Sequence, residues 1–236
     1  MDDVAGLLGG PRARGAFVLR SQLDPPWSMR IQDEAPLTLV TLVRGHACLV
    51  RAGEVTRLGP GDVAIVRGPE PYVVADDPAT PPQVVVHPGQ RCTTPDGGEV
   101  ADLTYLGVRT WGNAADGRTL MLSGTYELHS EVGGRLLRAL PPVAVVTAAE
   151  CPGPLVPYLA EEAARDAPGQ AAVLDRLLDL VLIAALRAWF ARPDADPPGW
   201  YRAHADPVVG PALRLLQEAP QERWTLQSLA AAGGIS

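Results

Sequence analysis

The spacing of turn-forming residues changes near position 150 of this 236-residue chain and divides it into two unlike parts. Before that position, short apolar runs such as DVAIV and QVVVH alternate with clusters of Gly, Pro and Asp at intervals of about ten residues. Runs of this length, rich in Val, Leu and Thr, are typical of antiparallel strands in a sandwich or a barrel. We therefore predict an all-β domain over residues 15–150, preceded by a flexible arm over 1–14.

After position 150 the apolar residues follow a helical period. The pattern predicts a short helix over 154–166 and a longer one over 170–191. The longer helix has two adjacent apolar stripes, which together are wider than packing on one domain requires. We expect one stripe to pack on the β domain and the other to meet a second subunit, so 151–192 is assigned to dimerisation; an internal helix of a larger all-α region is the alternative. The predicted dimerisation residues are Leu174, Leu178, Leu182, Ala185 and Trp189.

The segment 193–206 is rich in Pro and polar residues and has no periodic apolar run, which predicts a linker. Two short helices are expected after it, over 207–218 and 226–232. Asp206 and Thr225 precede them, and both residue types are preferred helix N-caps.

The end of the chain has the residue pattern of a helix-turn-helix corner. Such a corner needs a small residue where the helices approach, a Gly with positive φ, an apolar plug and a Ser or Thr cap. Because Gly is also a frequent helix C-cap, an ordinary helix end is the alternative. The residues in those four positions are Ala230, Gly234, Ile235 and Ser236.

Composition restricts the partners and the location. The formal net charge of −7 argues against a protein whose whole surface binds nucleic acid. The N-terminus is acidic where a signal peptide is basic, and Asp179 and Arg187 leave the most apolar segment well short of the ~20 residues of a membrane span. Cys48, Cys92 and Cys151 form no CxxC pair, which suggests neither a disulfide framework nor a structural zinc site. A cytoplasmic protein is expected.

The segment from Trp189 to Ser236 resembles the start of the DNA-binding domain in transcription regulators of the AraC/XylS family. The runs LTLVTLVRGHACLV, RLGPGDVAIVRGPEPYVVADD and LMLSGTYEL resemble the cupin-type sensor domain that precedes it in one bacterial subgroup. The resemblance covers most of residues 15–236. It implies an α+β fold, in which an antiparallel cupin-like β-barrel is followed by dimerisation helices and by an incomplete DNA-binding domain over 207–236. It further implies a homodimer that senses an unknown small-molecule effector and contacts DNA only through a region after Ser236.

The histidines bear on whether the barrel holds a metal. Metal-dependent cupins supply a His-x-His pair, a Glu and a later His, which are ligands suited to Fe, Mn or Ni. The four histidines, at positions 46, 87, 129 and 204, include no such pair, and Tyr72 stands where a later His would follow Pro. We therefore expect no metal, no cofactor and no enzymatic activity. A cupin-fold small-molecule binding protein or a metal-dependent cupin enzyme is the alternative.

A small-molecule site in the barrel would have a mainly apolar lining with a few polar groups. Large residues on strands near the start and end of the domain are the candidates, with Thr, His and Tyr as polar groups. The same residues could instead fill a small barrel that is packed solid. The candidates are Trp27, Met29, Ile31, Thr41, His46, Tyr72, Trp111 and Tyr126.

Cys92 lies in a Gly- and Pro-rich loop beside Arg91 and shortly after His87. A neighbouring cation favours the thiolate, and oxidants attack an accessible thiolate, so a redox-sensing role for Cys92 is one hypothesis. A zinc site formed by His87, Cys92 and His129 is another hypothesis. Cys48, inside an apolar run, is expected in the core.

Overall fold

The computed structural model describes residues 19–100, 104–126, 137–150 and 153–232. Within these ranges, thirteen strands lie before residue 150 and five helices after it, with a 3₁₀ turn at Pro88–Gln90 and a helical turn at 137–139 among the strands, so the predicted change near residue 150 and the α+β class are confirmed. The strands are β1 (Leu19–Leu23), β2 (Ser28–Ile31), β3 (Leu37–Arg44), β4 (Ala47–Arg51), β5 (Glu54–Leu58), β6 (Val63–Arg67), β7 (Tyr72–Ala75), β8 (Val84–Val86), β9 (Cys92–Thr93), β10 (Thr104–Gly107), β11 (Thr110–Gly112), β12 (Thr119–Tyr126) and β13 (Val143–Val146). The helices are α1 (Leu155–Ala164), α2 (Gln170–Phe190), α3 (Gly199–Ala205), α4 (Val209–Glu218) and α5 (Leu226–Ala232).

The strands form two sheets. The large sheet has seven strands in the order β10-β11-β1-β12-β3-β6-β13, and the small sheet has six in the order β5-β4-β7-β2-β8-β9. Most neighbours are antiparallel, as predicted, but β1 pairs with β11 and β2 with β8 in parallel. Ala52 and Gly53 form the β4–β5 turn with φ values of 51° and 84°, the positive values that a two-residue hairpin turn requires.

The expected closed barrel is not observed. Within the described part of the chain, the ladders end at the sheet edges, and one isolated bridge between Leu42 and Pro60 links β3 to the loop after β5. The two sheets instead pack face to face over a shared apolar core to which both contribute, for example Val40 and Leu42 from the large sheet and Leu49 and Val74 from the small one. A core between two open sheets buries the same alternating residues that a barrel interior would, which is why the sequence pattern does not separate the two.

Helices α1 and α2 cover the outer face of the large sheet. Successive residues of a strand point to opposite faces, so Val40 and Leu42 of β3 lie between the sheets while Leu37 and Leu39 pack against the helices. The observed bounds of both helices agree with the predicted ones within two residues.

Strand β12 meets α2 closely. The Tyr126 hydroxyl donates a 2.8 Å hydrogen bond to the Leu178 backbone oxygen. At Gly124 a Cβ atom would lie only 2.8 Å from Leu178 Cδ2, so the missing side chain lets the helix approach the strand.

The prediction that one stripe of α2 meets a second subunit is wrong for Leu174, Leu178, Leu182 and Ala185. These side chains are at most 2% exposed within a single chain, where they join the core formed with the large sheet and α1. Helix α1 explains the second stripe, because a helix that touches both a sheet and another helix needs a wide apolar arc. Trp189 is half-buried and lies 4.5 Å from the Arg192 guanidinium carbon, measured to the ring centroid.

The predicted linker over 193–206 is wrong in part, because α3 occupies Gly199–Ala205. Tyr201 packs on Phe190 with a ring-centroid distance of 5.2 Å, and this tertiary contact supplies apolar support that the local composition lacks. Both predicted caps are confirmed: Asp206 Oδ1 accepts from the backbone N–H groups of Val208 and Val209, and Thr225 Oγ1 accepts from that of Ser228.

Replacing Leu178 with Ala should lower the free energy of unfolding by about 2–5 kcal/mol, because it leaves a cavity between α2 and the large sheet. Arg187→Ala is the control on the same helix: its side chain is exposed and lies outside the apolar core, so the loss should stay below about 1 kcal/mol. Urea denaturation of the two variants measures the difference. Equal, small losses would contradict the intramolecular packing described above.

Candidate functional site

A cavity with about 50 Å³ of enclosed space, or about 500 Å³ when the part open to solvent is included, lies between the two sheets. Strands β1, β2, β3, β7, β8, β11 and β12 contribute to it, together with the loop after β2 and the turn before β9. The lining residues are Leu19, Ser21, Met29, Ile31, Asp33, Thr38, Val40, Tyr72, Val74, Val86, Gln90, Trp111, Met121, Ser123 and Thr125.

The period of the strands explains which residues reach the cavity. Alternate residues of one strand share a face, as do Met121, Ser123 and Thr125 of β12. On the same face, β1 contributes Ser21 and β3 contributes Thr38. These Ser and Thr side chains are small where a filled interior carries Leu or Ile, and they leave space between the sheets.

The structure brings four of the eight predicted ligand-site residues to the cavity: Met29, Ile31, Tyr72 and Trp111. The assignment of these residues to a ligand stays a prediction. Their common feature is a position on a strand face that points between the sheets.

The other four predicted residues lie elsewhere. Trp27 is 2% exposed in the core between the sheets but does not line the cavity. Thr41 points away from it and donates a 2.7 Å hydrogen bond to the Asp62 backbone oxygen. His46 is exposed in the turn between β3 and β4, and Tyr126 faces α2. These residues were chosen for their size or polarity. Whether a side chain reaches the cavity depends instead on which face of its strand it occupies.

Sequence reasoning missed the polar residues that line the cavity. Asp33 follows Met29 and Ile31 at a spacing of two, so extending the strand alternation by one step would have found it. Ser21 and Thr38 had no such signal, because β1 and the start of β3 are ordinary apolar–polar mixtures.

Two polar atoms at the cavity have no hydrogen-bond partner among the described residues. They are the Ser21 hydroxyl oxygen and the Trp111 indole nitrogen, and both are buried. Ser21 and Trp111 are direct register partners on the parallel strands β1 and β11, so the two side chains are neighbours. Buried polar groups are nearly always paired, and a water or a ligand atom that reaches this pair would supply the missing partner.

Burial shifts the pKa values of two side chains at the cavity, Asp33 and Tyr72. Burial raises the pKa of the Asp33 carboxyl, against the lowering effect of the 3.2 Å hydrogen bond that it accepts from the Ala35 backbone N–H. Burial raises the pKa of Tyr72, and the negative charge of Asp33 adds to that shift, so Tyr72 keeps its proton at neutral pH. A hydrogen bond with Thr38 and the charge of Arg51 act in the opposite direction.

The profile of a family described as Cupin matches residues 2–191. The chain belongs to the cupin family. A protein described as an AraC-like transcription regulator, from Streptomyces antibioticus, is 28% identical over 211 residues, which cover 86% of this chain and 65% of that protein. The transcriptional regulator AlkR from Acinetobacter baylyi is 28% identical over 125 residues, which cover 50% of this chain and 40% of the regulator.

These matches confirm the resemblance to AraC-type regulators with an N-terminal cupin domain. The chain spans 65% or less of the length of these two relatives. Among solved structures, a ToxT variant from Vibrio cholerae superposes over 93% of this chain and 70% of its own, with 8% identity and a TM-score of 0.41.

Cys92 of the cupin domain is exposed, as the redox hypothesis requires, but its sulfur is partly covered, and the redox role stays a prediction. Burial raises the pKa of its thiol, whose sulfur lies 3.7 Å from the Gln90 backbone oxygen. The ring nitrogens of His87 are engaged with Gln32 at 3.1 Å and Thr93 at 2.9 Å. Partial burial of the thiol therefore acts against the lowering of its pKa that the redox hypothesis expects. Cys48 is buried, as predicted.

The predicted zinc alternative includes His129, which lies outside the described residues, as does Cys151. The described ranges contain no group of three His, Cys, Asp or Glu side chains that could hold a metal ion. None of the helices that the structure describes is long and apolar enough to cross a membrane.

Alkylation of Cys92 by iodoacetamide should have a pH midpoint above that of N-acetylcysteine, because burial disfavours the thiolate. The rate is measured from neutral to alkaline pH in a variant with Cys48→Ser and Cys151→Ser, so that one thiol reports. A midpoint below that of the free thiol would support the redox hypothesis instead.

Proposed function

We propose that this chain is the effector-sensing and dimerisation portion of an AraC-type, DNA-binding transcription regulator of the cytoplasm, and that it is not an enzyme. The observation that carries the proposal is a cavity with two buried polar atoms that have no partner among the described residues, in a chain similar to AraC-like regulators. The cavity has the usual composition of a small-molecule site, since its lining is mainly apolar with a few polar side chains.

The helices at the end of the chain support a DNA-binding region. Leu226 is 88% exposed, Val209 43% and Leu216 41%, so α4 and α5 present apolar side chains that a complete domain would bury. Ala230 lies in α5, while Gly234, Ile235 and Ser236 of the predicted helix-turn-helix corner lie outside the described residues. DNA contact is proposed to be made by a region after Ser236, because direct readout needs a recognition helix in the major groove.

Strand β12 offers a route from the cavity to the helices. Ser123 and Thr125 line the cavity on one face, and Tyr126 holds the α2 backbone at Leu178 on the other. A ligand that alters the position of β12 therefore acts on α2 through a single strand. An effector that binds one arrangement better than another shifts the population between them.

The end of α2 is also fixed to the large sheet. The Arg192 guanidinium donates to both carboxylate oxygens of Glu150, at 2.8 and 2.7 Å, and to the backbone oxygen of Val145 at 2.6 Å. The hydrogen bonds from Arg192 lower the pKa of Glu150 to about 2, so this ion pair persists at neutral pH. The segment that leads to α3 begins at Arg192, so a movement of α2 would also displace α3.

The test uses the regulator extended beyond Ser236 and the DNA upstream of its own gene. Mobility shifts should show sequence-specific binding, and an effector found by thermal shift should change that affinity. In the double variant Ser21→Ala, Trp111→Phe, DNA affinity without effector should stay within about twofold, while effector affinity falls about tenfold or more, because the ligand loses its polar partners.

Ser28→Ala with Trp27→Phe is the matched control. Their polar atoms are also buried and unpartnered, but neither residue lines the cavity, so the effector response should be retained. If the extended protein shows no sequence-specific binding to the DNA upstream of its gene, the regulator assignment is contradicted and a cupin-fold binding protein is favoured. Equal effects of the two double variants would contradict the cavity as the effector site.

The dimer is proposed to form through the outer side of α2, because AraC-type readout of paired half-sites needs two DNA-binding domains. Val173 and Leu180 are 39% and 44% exposed and lie seven positions apart, on one face of the helix. This face replaces the buried residues of the original prediction.

Sedimentation velocity should find a dimer for the unchanged chain and a folded monomer for Leu180→Glu, since an unpaired charge is costly at an apolar interface. Ala171→Glu adds the same charge at an exposed position on another side of α2 and should leave the dimer intact. A monomeric unchanged chain, or a dimer of unchanged affinity in Leu180→Glu, would refute this interface.

A further inference from the structure

We infer that the cavity of the cupin domain selects an organic cation, a protonated amine attached to an apolar body, with Asp33 as its counter-ion. The inference rests on the proposal that the cavity binds a small molecule, and it names the chemical class of that molecule.

Among the described residues that line the cavity, Asp33 is the side chain that carries a charge at neutral pH, and the others are neutral. The described residues offer it no ion-pair partner, and its hydrogen bond comes from the neutral backbone N–H of Ala35. A carboxylate held in this half-buried position beside apolar side chains loses part of its hydration. A ligand cation would restore the missing charge compensation.

The cation whose charge acts on Tyr72 is already engaged. Arg51, whose charge influences Tyr72, is 10% exposed, pairs with Glu70 at 2.7 Å and donates to the Pro142 backbone oxygen at 2.8 Å. It does not belong to the cavity lining. An anionic ligand would therefore meet the charge of Asp33 with no cation among the described lining residues to offset it, and such like-charge contact is unfavourable.

The remaining lining fits the rest of such a ligand. Tyr72 and Trp111 provide aromatic rings, whose faces attract organic cations. Met29, Val40 and Met121 offer an apolar surface, and methionine adapts readily to an apolar group of irregular shape. The unpartnered atoms of Ser21 and Trp111 can additionally take a polar substituent of the ligand.

The test compares matched ligands that differ in charge. Three series, with phenylethyl, naphthylethyl and octyl bodies, each contain the amine, the alcohol and the carboxylate, and isothermal titration calorimetry measures their binding to the full chain at neutral pH. In at least one series the amine should bind about tenfold more tightly than its alcohol, and the carboxylate should bind most weakly.

Asp33→Asn should reduce the preference for the amine over the alcohol to about onefold while retaining the alcohol affinity. The Asn side chain keeps the size and an acceptor oxygen for the Ala35 N–H, and circular dichroism with thermal unfolding checks that the variant folds. Glu34→Gln is the matched control: it removes the same charge from the adjacent exposed residue outside the cavity, so the preference should be unchanged.

The outcomes separate this inference from the proposed function. Alcohols and amines that bind equally, or carboxylates that bind best, would overturn the cation preference and leave a small-molecule site in place. Failure of every amine to bind would also overturn it, whereas the proposed sensing role is judged separately by the effector response of the extended regulator. Equal loss in Asp33→Asn and Glu34→Gln would assign the effect to general surface charge and not to the cavity.

Discussion

The burial of the large sheet on both faces is the constraint on which the rest of this structure depends. In β3 the first six residues are buried, and they alternate between the core shared with the small sheet and the core shared with the helices. A strand enclosed in this way needs apolar or hydrogen-bonded side chains on both sides. Thr41 shows how strict the requirement is, because its hydroxyl is fully buried and is satisfied by the Asp62 backbone oxygen.

Local sequence patterns predicted the elements well and their partners poorly. The bounds of α1 and α2 follow from helical periodicity and from the break before Gln170, both of which are local properties. The partner of the second stripe of α2 is not local. A wide apolar arc shows only that two surfaces cover a helix. The apolar residues Leu174 and Leu182 would look the same in the sequence whether the second surface is α1 or another subunit.

The site could be predicted to the same limited degree. Met29 and Ile31 were identified because period two on one strand is visible in the sequence, whereas Tyr126 was misplaced because its face depends on the register of β12 against β3. The cavity exists where small side chains such as Ser123 come opposite one another across two sheets. That coincidence is set by tertiary packing, and no local pattern encodes it.

The arrangement of β12 has a consequence for how a ligand signal could be carried. At a hundredfold excess over its dissociation constant, a ligand stabilises the state that binds it by about 2.7 kcal/mol, which is enough to change a population only if the two states differ in affinity. Ser123 and Tyr126 lie on opposite faces of one strand, and the Tyr126 hydroxyl is bonded to α2. Because packed interiors yield little, a displacement of β12 at the cavity cannot be absorbed between those faces. The difference between the states should therefore appear as a shift of α2 against the large sheet, resisted at its far end by the Arg192–Glu150 ion pair.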